Sequence, residues 1–170
     1  FPFEPRFYER HGVTADYVGH PLADQIESDR DPAAARNRLG LDPEATTVAL
    51  LPGSRHSETT RLAEPMLEAA RQLLLRRGDL QFVASMANPS IEDGFREEMQ
   101  RLEFDPVRLV QGDPRSVIAA GDVVLCASGT ATLEVMLVNR PLVMTYKVSP
   151  ATFRLGRMLR LVKLRWFSLP

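Results

Sequence analysis

Apolar residues in this chain fall into short runs separated by longer segments of helical period. The runs "TTVALLPG", "LQFVAS", "VRLV", "DVVLCAS" and "LVMTY" are each nearly continuous rather than alternating with polar positions. A strand that reads this way is covered on both faces, as in a parallel sheet. A weaker run, "ADYVGHP", predicts one further strand. The segments between carry helix signals. Asp31-Pro32 opens "DPAAARNRLG" with a cap and a first-turn proline, and Gly40 closes it. From Glu64 to Leu75, Met66, Leu67, Ala70, Leu73 and Leu74 form a stripe of 3.6 period. Ser90 with Asp93 predicts a capping box before "GFREEMQRL", and Asp113-Pro114 repeats the cap-plus-proline pattern.

Strands alternating with helices of this length predict right-handed βαβ units. The expected fold class is α/β: a doubly wound, mostly parallel sheet with helices on both faces. Such sheets bind ligands beyond the carboxyl ends of their strands. The loops to inspect are therefore "PGSRHSE", "MANPS", "QGDPR" and "SGTATLE".

In "SGTATLE", Ser128, Gly129 and Thr130 stand where a helix N-terminus turns its first amides outward. Gly129 carries no Cβ to hold a phosphate off, and Thr130 and Thr132 bring hydroxyls. Glu134, about one turn further in, is placed to accept from both hydroxyls of a ribose. The plainer alternative is a capped helix with an acid near its start, which is stabilising by itself. In "LPGSRHSE", Gly53 permits a tight turn, Ser54 offers a hydroxyl and Arg55 a cation with fork geometry for phosphate. Glu58 either holds Arg55 or simply occupies the first helical turn. The loop is neither a Walker A nor a GxGxxG sequence. Paired on one sheet, the two loops are suited to clamp a diphosphate from opposite sides.

Composition changes this picture only at the edges. The chain has 170 residues, 44% hydrophobic and 25% charged, which is ordinary for a globular protein and expected to make one domain over 1–170. One cysteine, Cys126, excludes an internal disulfide and reads as an inert buried thiol, which fits a reducing cytoplasmic setting. His11, His20 and His56 are scattered without metal-ligand spacing, so neither a metal nor a cofactor is expected. His56 has a plausible site role through its neighbour Arg55, and His20, before a proline, reads as organising a turn or hinge.

Charge is uneven. Residues 135–170 hold seven Arg or Lys and no acid, against fourteen bases and twenty-two acids elsewhere. In the segment 150–167, Leu155, Met158, Leu159, Val162 and Trp166 fall on one helical stripe. Arg154, Arg157, Arg160, Lys163 and Arg165 lie opposite, interleaved with Phe153, Leu161, Leu164 and Phe167. This pattern suits an anionic bilayer surface, or packing against a further domain or a second subunit. Nucleic acid is not expected, because the charge is confined to one tail.

The segments "VGHPLAD", "LLPGSRHSE", "ASGTATLE", "PLVMTYKVSP" and "SLP", in this order, resemble the lipid-A-disaccharide synthase family along essentially the whole chain. That family comprises bacterial inverting glycosyltransferases of the two-domain GT-B type. The resemblance implies the Rossmann-like, donor-binding half of such an enzyme. It implies transfer of 2,3-diacylglucosamine from UDP to 2,3-diacylglucosamine 1-phosphate, forming a β-1,6 bond at the cytoplasmic face of the inner membrane.

By the same resemblance Gly53, Ser54 and Arg55 form a donor-phosphate loop, with Arg55 the candidate for stabilising the departing diphosphate. Ser128, Gly129, Thr130 and Thr132 form the second phosphate loop, and Glu134 holds the donor ribose. Val110, Gln111 and Gly112 fall where such folds read the uracil edge. The acceptor domain and the segment that crosses back over it are expected to lie outside these 170 residues, together with the general base. The isolated piece is accordingly expected to bind UDP and transfer nothing. Homo-oligomerisation stays open. So do two other readings: the donor half of another UDP-sugar transferase or 2-epimerase, and a nucleotide-binding module without catalysis.

Overall fold

A computed structural model of the chain describes residues 2–26 and 31–147. The basic segment at 150–167, with Arg154, Arg157, Arg160, Lys163 and Arg165, lies outside the described residues.

Three helices come first: α1 (Glu4–Glu9), α2 (Pro21–Gln25) and α3 (Pro32–Leu39). Then strands and helices alternate: β1 (Thr46–Leu51), α4 (His56–Arg76), β2 (Leu80–Met86), α5 (Pro89–Arg101), β3 (Val107–Gln111), α6 (Pro114–Ala120), β4 (Val123–Ala127), α7 (Thr130–Leu137) and β5 (Leu142–Thr145). The five strands form one sheet in the order β3-β2-β1-β4-β5, and every pairing is parallel. All five apolar runs are strands, and the doubly wound fold is observed.

Burial explains why those runs lack alternation. Val48, Leu50, Phe82, Ala84 and Met86 point to one face, where Ala63, Leu67 and Ala70 of α4 and Ile91, Phe95 and Met99 of α5 cover them. Ala49, Leu51, Val83, Val124 and Cys126 point to the other, under Ala35 of α3, Val117 and Ile118 of α6, and Val135 and Val138 of α7. With both faces covered, most positions of the central strands β1, β2 and β4 are apolar. Each fully buried Leu or Phe contributes roughly 2–3 kcal/mol relative to exposure.

Two local expectations are corrected. The run "ADYVGHP" forms no strand; His20 caps α2, its Nδ1 accepting from the Leu22 amide at 3.2 Å. Helix α4 runs from His56 through the Glu64–Leu75 stripe, with Glu58 in its first turn, and carries Pro65 in its interior. The buried stripe Thr59, Leu62, Ala63, Met66, Leu67 and Ala70 runs straight through that position. Continuous burial of one face outweighs the hydrogen bond a proline cannot donate. Helix α5 is capped by Asn88, whose side chain accepts from the Ile91 amide at 3.1 Å, and not by Ser90. Asp31 and Asp113 cap α3 and α6 as expected.

The amino-terminal edge of the sheet is fastened by a buried guanidinium. Arg36 donates through Nε to the Ala120 carbonyl and through Nη1 to that of Pro43, each at 2.9 Å. Its Nη2 stands 2.7 Å from Asp122 Oδ2. The same oxygen accepts the Thr47 amide at 2.8 Å, which ties α3, β1 and β4 together. Gly121 permits the close fit, since a Cβ there would stand 2.9 Å from that of Ala49. No helix among the described residues is long and apolar enough to cross a membrane.

Candidate functional site

The chain winds from β1 toward β3 on one side, then returns to β4 and β5 on the other. Helices α4 and α7 therefore leave the carboxyl ends of β1 and β4 on opposite faces of the sheet. A crevice opens between two such adjacent strands, and it is the standard binding position of the fold. The pairing of Leu51 with Cys126 fixes which loops border it. They are residues 52–55 and 128–130.

Gly53 has φ +113°, a region that favours glycine. A Cβ on it would lie 2.8 Å from Oε2 of Glu58, 3.1 Å from Cβ of Glu58 and 3.7 Å from Cβ of Ala127. This glycine thus serves the folding back of α4 onto its own loop, and it brings that loop against the end of β4. The Thr59 hydroxyl reaches toward the Gly53 carbonyl at 3.5 Å from the same helical turn. Ser54 is exposed. Arg55 is the N-cap position of α4, with its side chain 77% exposed and Nη1 2.7 Å from Oε1 of Glu58. The His56 and Ser57 amides, first in the helix, meet no acceptor among the described residues.

The second loop differs from expectation in two places. The Ser128 amide donates to the Thr145 carbonyl at 3.0 Å, extending the ladder between β4 and β5, so it does not point into the crevice. Thr132 is buried and its hydroxyl donates to the Gly129 carbonyl at 2.7 Å, so it closes the first turn of α7 from within. Gly129 and Thr130 remain open. Gly129 has φ +155°, and a Cβ on it would meet nothing within 4 Å. Thr130 is exposed. Glu134 lies four residues beyond Thr130 on α7, hence on the same helical face one turn deeper, and it is half-buried. Its charge reaches Cys126, where burial first and Glu134 second push the thiol up to about 12. The inert reading of that cysteine agrees with this.

Gln111 ends β3 and is exposed at the same rim, with β2 between it and β1. The neighbouring Gly112 amide already donates to the Met86 carbonyl at 3.0 Å. His56 turns away from the crevice. It lines a cleft of about 280 Å³ between α4 and α5, with Thr59, Thr60, Ser90, Gly94 and Arg101. That cleft had no signature in the sequence, because its lining alternates between two helices. Ala127 was also passed over, although a small residue ending β4 is what lets Gly53 approach.

The arrangement offers a cation and free helical amides on one side of a crevice, with open glycine backbone and a carboxylate one turn deeper on the other. It suits an anion carrying adjacent hydroxyls.

The whole chain, residues 1–170, matches the sequence family described as lipid-A-disaccharide synthetase. It is 45% identical over 172 residues to the lipid-A-disaccharide synthase of Xanthomonas euvesicatoria, covering all of this chain and 39% of that protein. It is 46% identical over 170 residues to that of Pseudomonas aeruginosa, covering all of this chain and 44% of the relative. The chain thus spans less than half the length of these relatives. Among solved structures, Escherichia coli ADP-heptose lipopolysaccharide heptosyltransferase II superposes with a TM-score of 0.57 at 19% identity, over 74% of this chain and 40% of that one. Anabaena HepE in complex with UDP and glucose gives 0.54 at 19% identity, over 81% and 39%. At that identity the likeness is one of fold.

Proposed function

The chain belongs to the lipid-A-disaccharide synthetase family, and from that premise we propose that it is the donor-binding half of a lipid-A-disaccharide synthase. The whole enzyme then transfers 2,3-diacylglucosamine from UDP to 2,3-diacylglucosamine 1-phosphate with inversion, releasing UDP. The observation that carries this reading is the pair of loops at 52–55 and 128–130, which leave adjacent parallel strands at the switch point of the sheet.

The roles follow from chemistry. Negative charge develops on the diphosphate as the glycosidic bond breaks. Arg55 and the amides at the start of α4 and α7 stabilise it, because fixed donors need no reorganisation at that moment. Gly129 lets the phosphate approach the main chain, and the Thr130 hydroxyl adds a donor. Glu134 accepts from the ribose hydroxyls, and Gln111 borders the uracil. An inverting displacement also requires a base for the acceptor hydroxyl. We assign that role to no residue of this chain, so it binds UDP and does not by itself form disaccharide.

The basic segment with Arg154, Arg157, Arg160, Lys163 and Arg165 holds the enzyme at an anionic bilayer on the cytoplasmic side, where both lipid substrates reside. Support for this comes from its composition: roughly 1 kcal/mol per cation near such a surface. Vesicles with anionic lipid should retain the chain at low salt and release it at high salt. Equal retention on neutral vesicles overturns the bilayer role.

Titration with UDP, ADP and inorganic pyrophosphate tests the nucleotide site. UDP is expected to bind more tightly than ADP, and both more tightly than pyrophosphate. Equal affinity for UDP and ADP removes the uridine assignment, and absence of UDP binding removes the site.

A further inference from the structure

Arg55 is the side chain on which the donor-site reading most depends, yet it stands on an exposed loop with 77% of its side chain in solvent. A free arginine there samples many rotamers, and ordering it on binding costs affinity. One contact restrains it. Oε1 of Glu58 accepts from Nη1 at 2.7 Å. Glu58 is itself held, because its side chain is only 32% exposed and its carboxylate lies against Gly53, in the space a Cβ would fill. The backbone adds a second restraint: the amides of Glu58 and Thr59 both donate to the Arg55 carbonyl at 3.0 Å.

We propose that Gly53 and Glu58 form a positioning device for Arg55, in which the missing Cβ of Gly53 seats the Glu58 carboxylate and that carboxylate aims the guanidinium at the diphosphate. The glycine's role is then to admit a carboxylate from its own chain rather than to admit phosphate. Glu58 takes only Nη1, which leaves Nε and Nη2 without an acceptor among the described residues and able to meet phosphate oxygens as a fork. The opposite possibility is that Glu58 competes with the ligand, neutralising Arg55 until a diphosphate displaces it. The seat on Gly53 favours positioning, because a carboxylate wedged against main chain is not held by its charge partner alone.

This inference rests on the proposed UDP site, and calorimetry with UDP and with pyrophosphate separates the two. Wild type should bind UDP, and Arg55→Ala should weaken both ligands. Glu58→Ala should weaken both by about fivefold to tenfold, as expected for contacting residues that act together. Glu58→Gln keeps the oxygen acceptor and should stay within about threefold of wild type. In an Arg55→Ala background, Glu58→Ala should cost nothing further, a result a merely structural role does not produce. Gly53→Ala should reproduce the loss seen in Glu58→Ala. Tighter binding by both Glu58 variants establishes competition and overturns positioning; unchanged affinity in Glu58→Ala, or additive losses in the double variant, also overturns positioning. If Arg55→Ala weakens UDP while Glu58→Ala does not, the positioning device fails and the donor site stands. If wild type binds no UDP, the site fails and takes the device with it.

Discussion

Leu51 and Cys126 face each other across the parallel ladder of β1 and β4. That register pair sets the Gly53 loop beside the Ser128 loop, at the point where the winding of the sheet reverses. The two helices that follow lie on opposite faces, so their first turns converge on one crevice from both sides.

Glu134 stands on the Thr130 face of α7, one turn below the open glycine. Glu134→Gln should weaken UDP by about 10–100-fold, since hydrogen bonds to a charged acceptor contribute about 1.5–3 kcal/mol. Pyrophosphate, which has no ribose, should bind as before. Calorimetry of both ligands on both proteins measures the difference, and equal loss removes the ribose role.

Gly129 and Gly94 should respond to alanine with opposite sign. Space is open at both, but Gly129 holds φ +155° while Gly94 lies inside α5. Gly129→Ala should destabilise by about 1–3 kcal/mol through backbone strain alone. Gly94→Ala should stabilise by about 0.5–1 kcal/mol, because a helical glycine loses more entropy on folding. Urea midpoints at equal slope report both.

The Arg36–Asp122 pair is asymmetric, with side-chain exposures of 7% and 45%. Removing the acid leaves a buried guanidinium without its counter-charge. Asp122→Ala should therefore cost about 2–3 kcal/mol, less than a fully buried pair because water reaches the Asp122 side. Asp122→Asn keeps an acceptor for the Thr47 amide and should cost less. Thermal unfolding distinguishes them.

Cys126 links stability to alkaline pH. Burial raises its thiol from 9.0 to about 12 in the folded chain. Between those values the unfolded chain has lost the proton and the folded chain keeps it. Stability is thus complete below pH 9 and falls as pH rises toward 12. Cys126→Ser should flatten that part of the profile. Alkylation at pH 8 should be negligible in the native chain and rapid in urea.

Much of this is legible in the sequence. The runs from "TTVALLPG" to "LVMTY" are strands because two-sided burial demands uninterrupted apolar character, which is a local pattern. Asp31, Gly40 and Asp113 act through bonds to neighbours within a few residues, so they too can be read directly. Two elements misled. The run "ADYVGHP" has strand composition but no strand to pair with. Ser90 and Asn88 are both competent caps, and the direction of the chain entering α5 chose Asn88.

The site divides in the same way. Sequence alone determined which residues cluster in the two loops, that glycine, hydroxyl, cation and acid occur there, and that the sheet is parallel. The rest came from tertiary structure. It took the Ser128 amide for β5 and rolled Thr132 into the core, where its hydroxyl binds the Gly129 carbonyl. It also filled the space beside Gly53 with Glu58. The reason is physical: residue type and spacing are local properties, whereas a strand partner and the rotation of a helix depend on contacts between residues far apart in the chain. Those contacts decide which of several chemically suitable groups still face the crevice.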